Sequence, residues 1–108
     1  MKFTNQANAN MTSYKGKVNI TYAELVEIFG APDRGPNDLG DKVTCNWELQ
    51  FEDGTVATIY DWKMNDTPMG EYMWHIGGYS MDAVDRVVDC VDMHRDQLVS
   101  MIRGYQGA

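Results

Sequence analysis

Residues 43–62 have the sequence VTCNWELQFEDGTVATIYDW, and this stretch decides the fold. Asp53-Gly54 lies at its centre, and this dipeptide accepts the positive φ angles that a type I′ turn requires. Residues 43–52 and 55–62 flank the turn with the alternating pattern that is typical of β-strands. The stretch is therefore predicted to form a tight β-hairpin.

The register of this hairpin follows from counting outward from the turn. If Glu52 lies opposite Thr55, one face of the hairpin collects the large apolar side chains and is predicted to face the core. That face would carry Cys45, Trp47, Leu49, Phe51, Val56, Thr58, Tyr60 and Trp62. The opposite face of the first strand would carry Asn46, Glu48, Gln50 and Glu52.

A short helix is predicted before the hairpin. Residues 17–20 alternate like a strand, and Thr21 with Glu24 then forms the Thr-x-x-Glu pattern of a capping box. Gly30 and Pro32 are predicted to end the helix, because Gly tolerates the left-handed conformation and Pro cannot continue a helix. The predicted buried face carries Leu25, Ile28 and Phe29.

A third strand and a long helix are predicted after the hairpin. Residues 33–42 and 63–71 are rich in turn formers and are expected to be loops. Tyr72, Trp74 and Ile76 are expected to share one face of a strand that ends at Gly77-Gly78, and Ser80 is expected to cap a helix over residues 81–102. The apolar stripe of that helix is Val84, Val87, Val88, Val91, Leu98 and Ile102.

These elements predict an α+β fold, with a three- to four-stranded antiparallel sheet and two helices packed on one face. The chain has 108 residues, of which 44% are hydrophobic, enough for one packed core. Residues 1–13 show no hydrophobic period and are expected to form a flexible N-terminal arm. Residues 14–108 are expected to form a single domain.

The charge balance disfavours several classes of partner. Nine basic residues against sixteen acidic residues give a net charge of −7, which repels nucleic acid and acidic membranes and favours a protein with a basic surface. We expect neither direct nucleic-acid binding nor membrane association. The polar start lacks the apolar stretch of a signal peptide, so Cys45 and Cys90 are expected to be reduced thiols in the cytoplasm.

The long helix carries a row of five aspartates, at steps of three, four, three and four residues. At 100° per residue they fall within an arc of about 80°, centred about 120° from the valine stripe. Residues 82–96 hold these five aspartates against Arg86 and Arg95, a net charge of −3. The row is either an ordinary solvated face or a surface that binds a basic partner. Its members are Asp82, Asp85, Asp89, Asp92 and Asp96.

To imitate a nucleic-acid duplex, the row would need further acidic groups, which Glu48, Glu52, Asp53 and the acidic loops would have to supply. Glu48 and Glu52 also form a pair of carboxylates on one strand, but such pairs indicate glycosidase chemistry only weakly. No nucleophile with an oriented base is evident, so we predict a protein that is not an enzyme.

Two ligand sites are alternatives. Gly77-Gly78 leads from a strand into a helix N-terminus, where backbone amides can bind a phosphate, although Asp82 would repel it. A zinc site from both cysteines and both histidines is conceivable by count, but His75 and His94 lack ligand spacing. We expect no cofactor and no metal, and a small-ligand-binding protein, such as a sponge for a signalling nucleotide, remains the alternative function.

Several blocks of the sequence resemble a family of small, largely uncharacterised proteins of tailed bacteriophages. The blocks are Leu25-Val26 with Phe29-Gly30-Ala31-Pro32, Trp47 with Phe51, the run DGTVATIYDWK at residues 53–63, and Trp74-His75-Ile76-Gly77-Gly78. The resemblance implies phage origin and an early, non-virion protein that acts on host machinery or host defence. It implies no catalytic residues, and it does not extend to the aspartate row.

Together, the aspartate row and the resemblance lead to one hypothesis. The chain is predicted to be a phage-encoded acidic inhibitor that binds a host defence or nucleic-acid-processing complex, of the anti-CRISPR or anti-restriction type, in the host cytoplasm. It would occupy a basic nucleic-acid-binding site of that host protein. A structural subunit with a large self-interface, such as a homodimer, is a further alternative.

Overall fold

The computed structural model describes residues 2–5, 7–34 and 42–106. Six strands and two helices lie in these ranges, and the fold class is α+β, as predicted. In chain order they are β1 (Phe3–Thr4), β2 (Ser13–Ile20), α1 (Tyr22–Phe29), β3 (Asp33–Arg34), β4 (Cys45–Phe51), β5 (Val56–Tyr60), β6 (Tyr72–Gly78) and α2 (Asp82–Gln106).

All six strands belong to one antiparallel sheet with the order β1-β4-β5-β6-β2, and β3 also pairs with β4. The predicted three to four strands were too few. The two-residue strands β1 and β3 were missed because so short a segment shows no alternation. The predicted loop over residues 33–42 is wrong at its start, where Asp33 and Arg34 form β3, and residues 35–41 lie outside the described ranges.

The segment predicted as an N-terminal arm contacts the sheet in several places. Phe3 lies opposite Phe51 in the pairing of β1 with β4, and its ring centroid is 5.2 Å from that of Phe29. Ala7 is buried and donates its backbone N–H to the carbonyl of Glu48 at 3.4 Å. These residues therefore cover one edge of the core.

The hairpin forms, but its register differs by one residue from the prediction. Gln50 pairs with Val56, and the Phe51 N–H donates to the Thr55 carbonyl at 2.8 Å. The turn thus contains three residues, with Gly54 at φ 90° in the left-handed region. A three-residue turn that ends in a left-handed residue is a common hairpin connection.

A one-residue shift moves every side chain of β5 to the opposite face. Ala57 and Ile59, not Thr58 and Tyr60, lie on the core face beside Trp47. The predicted core set was therefore correct for β4 and wrong for β5. Trp62, which follows β5, is half-buried on the far side.

Helix α1 begins and ends as predicted. The Thr21 hydroxyl accepts the Glu24 N–H at 3.2 Å, and the Glu24 carboxylate accepts the Thr21 N–H at 3.5 Å, which completes the capping box. Gly30 terminates the helix at φ 87°, and its carbonyl accepts the Trp47 indole N–H at 2.8 Å. This bond anchors the end of α1 to β4.

Helix α2 is capped by Ser80, whose hydroxyl accepts the Asp82 N–H at 3.3 Å, as predicted. Val87 and Val91 are buried against the sheet. The predicted stripe does not stay buried beyond this point, because Leu98 is 41% exposed and Ile102 is 56% exposed. The second half of α2 extends past the sheet that covers its first half.

Both helices pack on the same face of the sheet, as predicted. The core cluster joins residues of α1 and α2 to the inward side chains of β2, β4, β5 and β6. Trp47 and Trp74 meet edge to face at its centre, with ring centroids 5.5 Å apart. Among the described residues, no helix covers the other face, which we call the open face.

Candidate functional site

The five aspartates of α2, called here the aspartate row, all have exposed side chains. Their spacing of three and four residues places successive carboxylates about 5 Å apart along the helix axis, over a total of about 21 Å. The exposed row is the arrangement that a surface for a basic partner requires.

The cations of α2 are largely directed to other acidic groups. Arg86 contacts Asp53 at 2.8 Å and Asp89 at 3.5 Å. Arg95 contacts Glu24 of α1 at 3.2 Å and the Asn19 carbonyl at 3.3 Å, and so points away from the row. Within the described ranges, Asp89 is the one member of the row with an ion pair.

The same side of α2 presents a shallow exposed strip whose lining residues all belong to this helix. The strip begins at Arg86 and combines the carboxylates of Asp89, Asp92 and Asp96 with the thioether side chains of Met93 and Met101. Both methionines are more than half exposed. Exposed Met adapts to different partner surfaces, and such side chains are frequent where proteins bind other proteins.

The other two predicted binding residues lie in different places. Glu52 is exposed in the hairpin turn, next to Asp53, and Asp53 contacts α2 through Arg86. Glu48 lies opposite Thr58 in the sheet and faces the open side, so the thickness of the sheet separates it from α2. Asp53 thus contacts α2, whereas Glu52 lines a shallow hollow with Lys2 and Thr4 at the β1 edge of the sheet, and Glu48 lies apart from the aspartate row.

A second candidate site lies on the open face and was missed by the sequence analysis. A cavity of about 520 Å³ opens there. Tyr60 and His75 lie opposite each other in the pairing of β5 with β6, and their rings stack with centroids 5.4 Å apart. The cavity is lined by Thr12, Ser13, Tyr14, Lys17, Thr58, Tyr60, Trp62, His75 and Gly77. The predicted register placed Thr58, Tyr60 and Trp62 in the core, and this error concealed the cavity.

Two titratable groups of the cavity have shifted pKa values. Burial lowers the pKa of His75 below its ordinary 6.5, and the nearby Lys17 cation lowers it further. Burial raises the pKa of the Tyr60 hydroxyl above its ordinary 10.0. Both groups are thus neutral at pH 7, and Lys17 carries the positive charge of the cavity wall.

The proposed anion turn at Gly77-Gly78 does not have the expected geometry. Strand β6 continues through Gly78, so the two glycines are paired residues of the sheet rather than a turn. A Cβ on Gly78 would lie 2.4 Å from the Ala83 Cβ, because the start of α2 packs directly on this position. The glycine here permits close helix packing.

The cysteines and histidines that were considered as zinc ligands by count are not grouped in the described residues. Cys45 is buried in the core, Cys90 lies half-buried on α2, and the His94 Nε2 is 3.2 Å from a Glu27 carboxylate oxygen. Burial raises the pKa of the Cys90 thiol. Across residues 2–5, 7–34 and 42–106, no three His, Cys, Asp or Glu side chains are grouped so that they could hold a metal ion.

No helix in the described ranges combines the length and the apolar character needed to cross a bilayer. Comparison with known proteins gave no match to a family model, a curated protein or a solved structure.

Proposed function

We propose that this protein acts by binding rather than by catalysis, and that it inhibits a host protein by covering a basic surface with the aspartate row. One observation carries the proposal: all five carboxylates of the row are exposed, and within the described ranges only Asp89 contacts a cation. Carboxylates without internal partners remain available to lysines and arginines of another molecule.

The row is unfavourable for the helix that carries it. Like charges at i,i+3 and i,i+4 repel each other, at a cost of a few tenths of a kcal/mol for each pair. The helix dipole offsets this only for Asp82 and Asp85, which lie in the first turn of α2. Arg86 contacts only Asp89 of the row, and the second cation near these residues, Arg95, binds Glu24 instead. A basic partner would relieve this repulsion, which favours binding over a purely solvated role.

The partner surface can be described from the same side of α2. The exposed Met93 lies between Asp92 and Asp96, and the exposed Met101 lies beyond them on the same side, so the complementary surface combines basic groups with apolar contact area. The row has about one carboxylate per 5 Å, which is sparser than the one phosphate per 3.4 Å of a single DNA strand. It therefore suits a few well-placed arginines or lysines better than a whole duplex-binding channel.

The identity of the target class depends on the resemblance to phage proteins. With it, the proposal is an inhibitor of a host defence or nucleic-acid-processing complex, in which the basic surface is one that holds nucleic acid. Within this proposal Glu52 and Glu48 do not belong to the binding surface.

A matched pair of charge variants tests the proposal. Asp85→Lys with Asp92→Lys reverses two charges in the row, and Asp66→Lys with Glu71→Lys makes the same change of charge in an exposed loop. Each protein is immobilised and used to bind partners from nuclease-treated host lysate at low and high salt. The bound protein is then challenged with added DNA.

We expect the row variant to lose binding by roughly tenfold or more, and the loop variant to stay close to the unsubstituted protein. Binding should weaken as salt increases, and DNA should release the partner. An equal loss of binding in both variants would mean that binding depends only on the net charge of the protein. The aspartate row would then not be the binding surface. Circular dichroism of each variant checks that the fold is retained.

A further inference from the structure

The cavity on the open face has the size and lining of a small-molecule site. Its volume of about 520 Å³ lies within the range of roughly 300–1,000 Å³ that ligand pockets occupy. We propose that this cavity binds a small planar aromatic anion, of which a mononucleotide is the representative. This site is separate from the aspartate row, because the sheet lies between them.

Aromatic rings form the walls of the cavity. The Tyr14 ring meets the His75 ring with centroids 5.6 Å apart, and the Trp62 ring meets the Tyr60 ring edge to face at 6.2 Å. Tyr14 is 54% exposed, so one side of its ring is free to stack on a planar ligand. At the base of the cavity, Gly77 presents only backbone between Thr58 and Tyr60.

The charged groups that line the cavity favour a negatively charged ligand. Lys17 lies opposite His75 in the pairing of β2 with β6 and lines the cavity. The Lys42 ammonium lies 5.5 Å from the centre of the Trp62 ring. Glu48 also faces the open side, but it is not part of the lining and accepts a hydrogen bond from Asn46. The buried Asp61 carboxylate also acts on His75, but it accepts hydrogen bonds from Thr44 and is not part of the lining. On a chain of net charge −7, the two lysines beside these rings therefore form a local positive site.

His75 lines the cavity, and its Nδ1 is buried without a hydrogen-bond partner among the described residues, as is the Trp74 Nε1 in the core. Buried polar atoms are nearly always paired, so a ligand or water that reached the imidazole would satisfy an otherwise unpaired atom. The imidazole, neutral at pH 7, leaves Lys17 as the charged group that an anion would contact.

A mononucleotide fits these features better than a nucleic-acid strand. A strand brings one phosphate per nucleotide towards an acidic protein, and a few lysines cannot offset that repulsion. A single base with one phosphate needs one stacking surface and one cation, which Tyr14 and Lys17 provide.

Nuclear magnetic resonance of the tryptophan indoles tests the site directly. Trp47 and Trp74 are buried in the core, whereas Trp62 lines the cavity, so one of the three indole N–H signals should respond to a ligand. A Trp62→Phe variant assigns that signal. The probes are AMP, GMP, CMP and UMP, with adenosine, inorganic phosphate and an eight-nucleotide adenine strand for comparison.

We expect at least one mononucleotide to shift the Trp62 signal saturably, with the Trp47 and Trp74 signals unmoved. Tyr14→Ala and Lys17→Ala should each weaken the binding by roughly tenfold, which corresponds to about 1.4 kcal/mol. Lys2→Ala removes the same charge at a distant edge strand and should leave the binding unchanged.

Four results would overturn the proposal. They are the absence of any saturable shift at millimolar mononucleotide, an equal response to inorganic phosphate or adenosine, tighter binding of the strand, and full binding by the Lys17→Ala variant. None of these results bears on the aspartate row, and the row variants Asp85→Lys and Asp92→Lys should bind the mononucleotide normally. Failure of this site and failure of the proposed inhibitor function are thus distinguishable.

Discussion

Arg86 of α2 donates a hydrogen bond from Nε to the Asp53 carboxylate in the turn between β4 and β5, at 2.8 Å. The same guanidinium contacts Asp89 at 3.5 Å. The bond connects the hairpin turn to the long helix across 33 residues of sequence. It also explains why Arg86 neutralises the aspartate row only in part, since its closest carboxylate lies outside the row.

Removal of Arg86 should be visible in the titration of Asp53. The hydrogen bond from Arg86, with further bonds from Thr55, lowers the pKa of Asp53 from 3.8 to about 2. In an Arg86→Ala variant we expect this pKa to rise towards 3.8, as measured by the carboxyl chemical shift against pH. Arg95→Ala is the control, because Arg95 contacts Glu24 and should leave Asp53 unchanged.

The sign of the pH effect follows from this shift. The folded state holds the Asp53 proton less tightly than the unfolded chain, so its stabilising contribution is present above pH 3.8 and is lost as the pH falls towards 2. The Arg86→Ala variant should lack this part of the pH dependence. An unchanged Asp53 pKa in that variant would assign the shift to Thr55 instead.

His75 should make stability depend on pH near neutrality. Burial and then Lys17 lower its pKa below 6.5, so the unfolded chain binds the proton more readily than the folded protein. The free energy of unfolding should therefore decrease as the pH falls from 6.5 through the folded pKa, and His75 should contribute no slope well above pH 6.5.

Urea unfolding at several pH values between about 5 and 8 measures this slope. A His75→Gln variant should lose the His75 part of the slope, whereas His94→Gln should retain it. If both variants kept the same slope as the unsubstituted protein, the loss of stability would come from other groups. A ligand with an anionic group in the cavity should raise the His75 pKa and reduce the slope.

The three-residue turn predicts unequal effects of two glycine substitutions. Gly54 has φ 90°, where an alanine is strained, although its Cβ would meet no atom within 4 Å. Gly54→Ala should lower the free energy of unfolding by about 1 kcal/mol. Gly70, also with open space around it, should tolerate alanine within about 0.5 kcal/mol. Equal effects would contradict the turn described here, and thermal or urea unfolding of both variants decides between them.

Much of the fold was predictable because local signals agreed with the tertiary structure. The capping box at Thr21 and Glu24, the helix end at Gly30 and the helix start at Ser80 each depend on contacts within a few residues. Tyr72, Trp74 and Ile76 face the core cluster as predicted, because a strand with one buried face must alternate.

The candidate site was predictable only in part. The exposure of the aspartate row follows from helix geometry, but the position of Glu48 relative to α2 depends on which face the helix covers. The open-face cavity was not predicted because the register of β5 was wrong by one residue. Asp53-Gly54 fits both a two-residue and a three-residue hairpin connection, and the turn length sets this register. The alternation of Ala57 and Ile59 with the more polar Thr58 and Tyr60 was the signal that could have distinguished them.

Asp61 is a buried carboxylate whose bonds hold the start of β4. Its Oδ1 accepts the Thr44 N–H at 2.8 Å and the Cys45 N–H at 3.4 Å, and its Oδ2 accepts the Thr44 hydroxyl. Asp61→Ala would remove the acceptor of the buried Thr44 N–H and should cost about 1–3 kcal/mol of stability. Asp61→Asn should cost less, because an amide oxygen can still accept the Thr44 N–H.

The exposed Asp66 is the control for this prediction, and its alanine variant should unfold within about 0.5 kcal/mol of the unsubstituted protein. Chemical denaturation of the three variants gives the ranking. If Asp61→Ala were as stable as Asp66→Ala, water would have to satisfy the freed donors, and the start of β4 would be less buried than described.

Leu25 and Leu98 allow the same substitution to be compared in two environments. Leu25 of α1 is fully buried, and Leu25→Ala should cost about 2–5 kcal/mol. Leu98 of α2 is 41% exposed in the monomer, beyond the part of the helix that the sheet covers, so Leu98→Ala should cost about 0.5 kcal/mol or less.

The comparison requires melting temperatures at low and high protein concentration, because stabilisation by self-association depends on concentration. If Leu98→Ala lowered the melting temperature only at high concentration, the apolar stripe that continues through Ile102 would be covered by a second copy of the chain. The homodimer alternative would then replace the monomer as the form that presents the aspartate row.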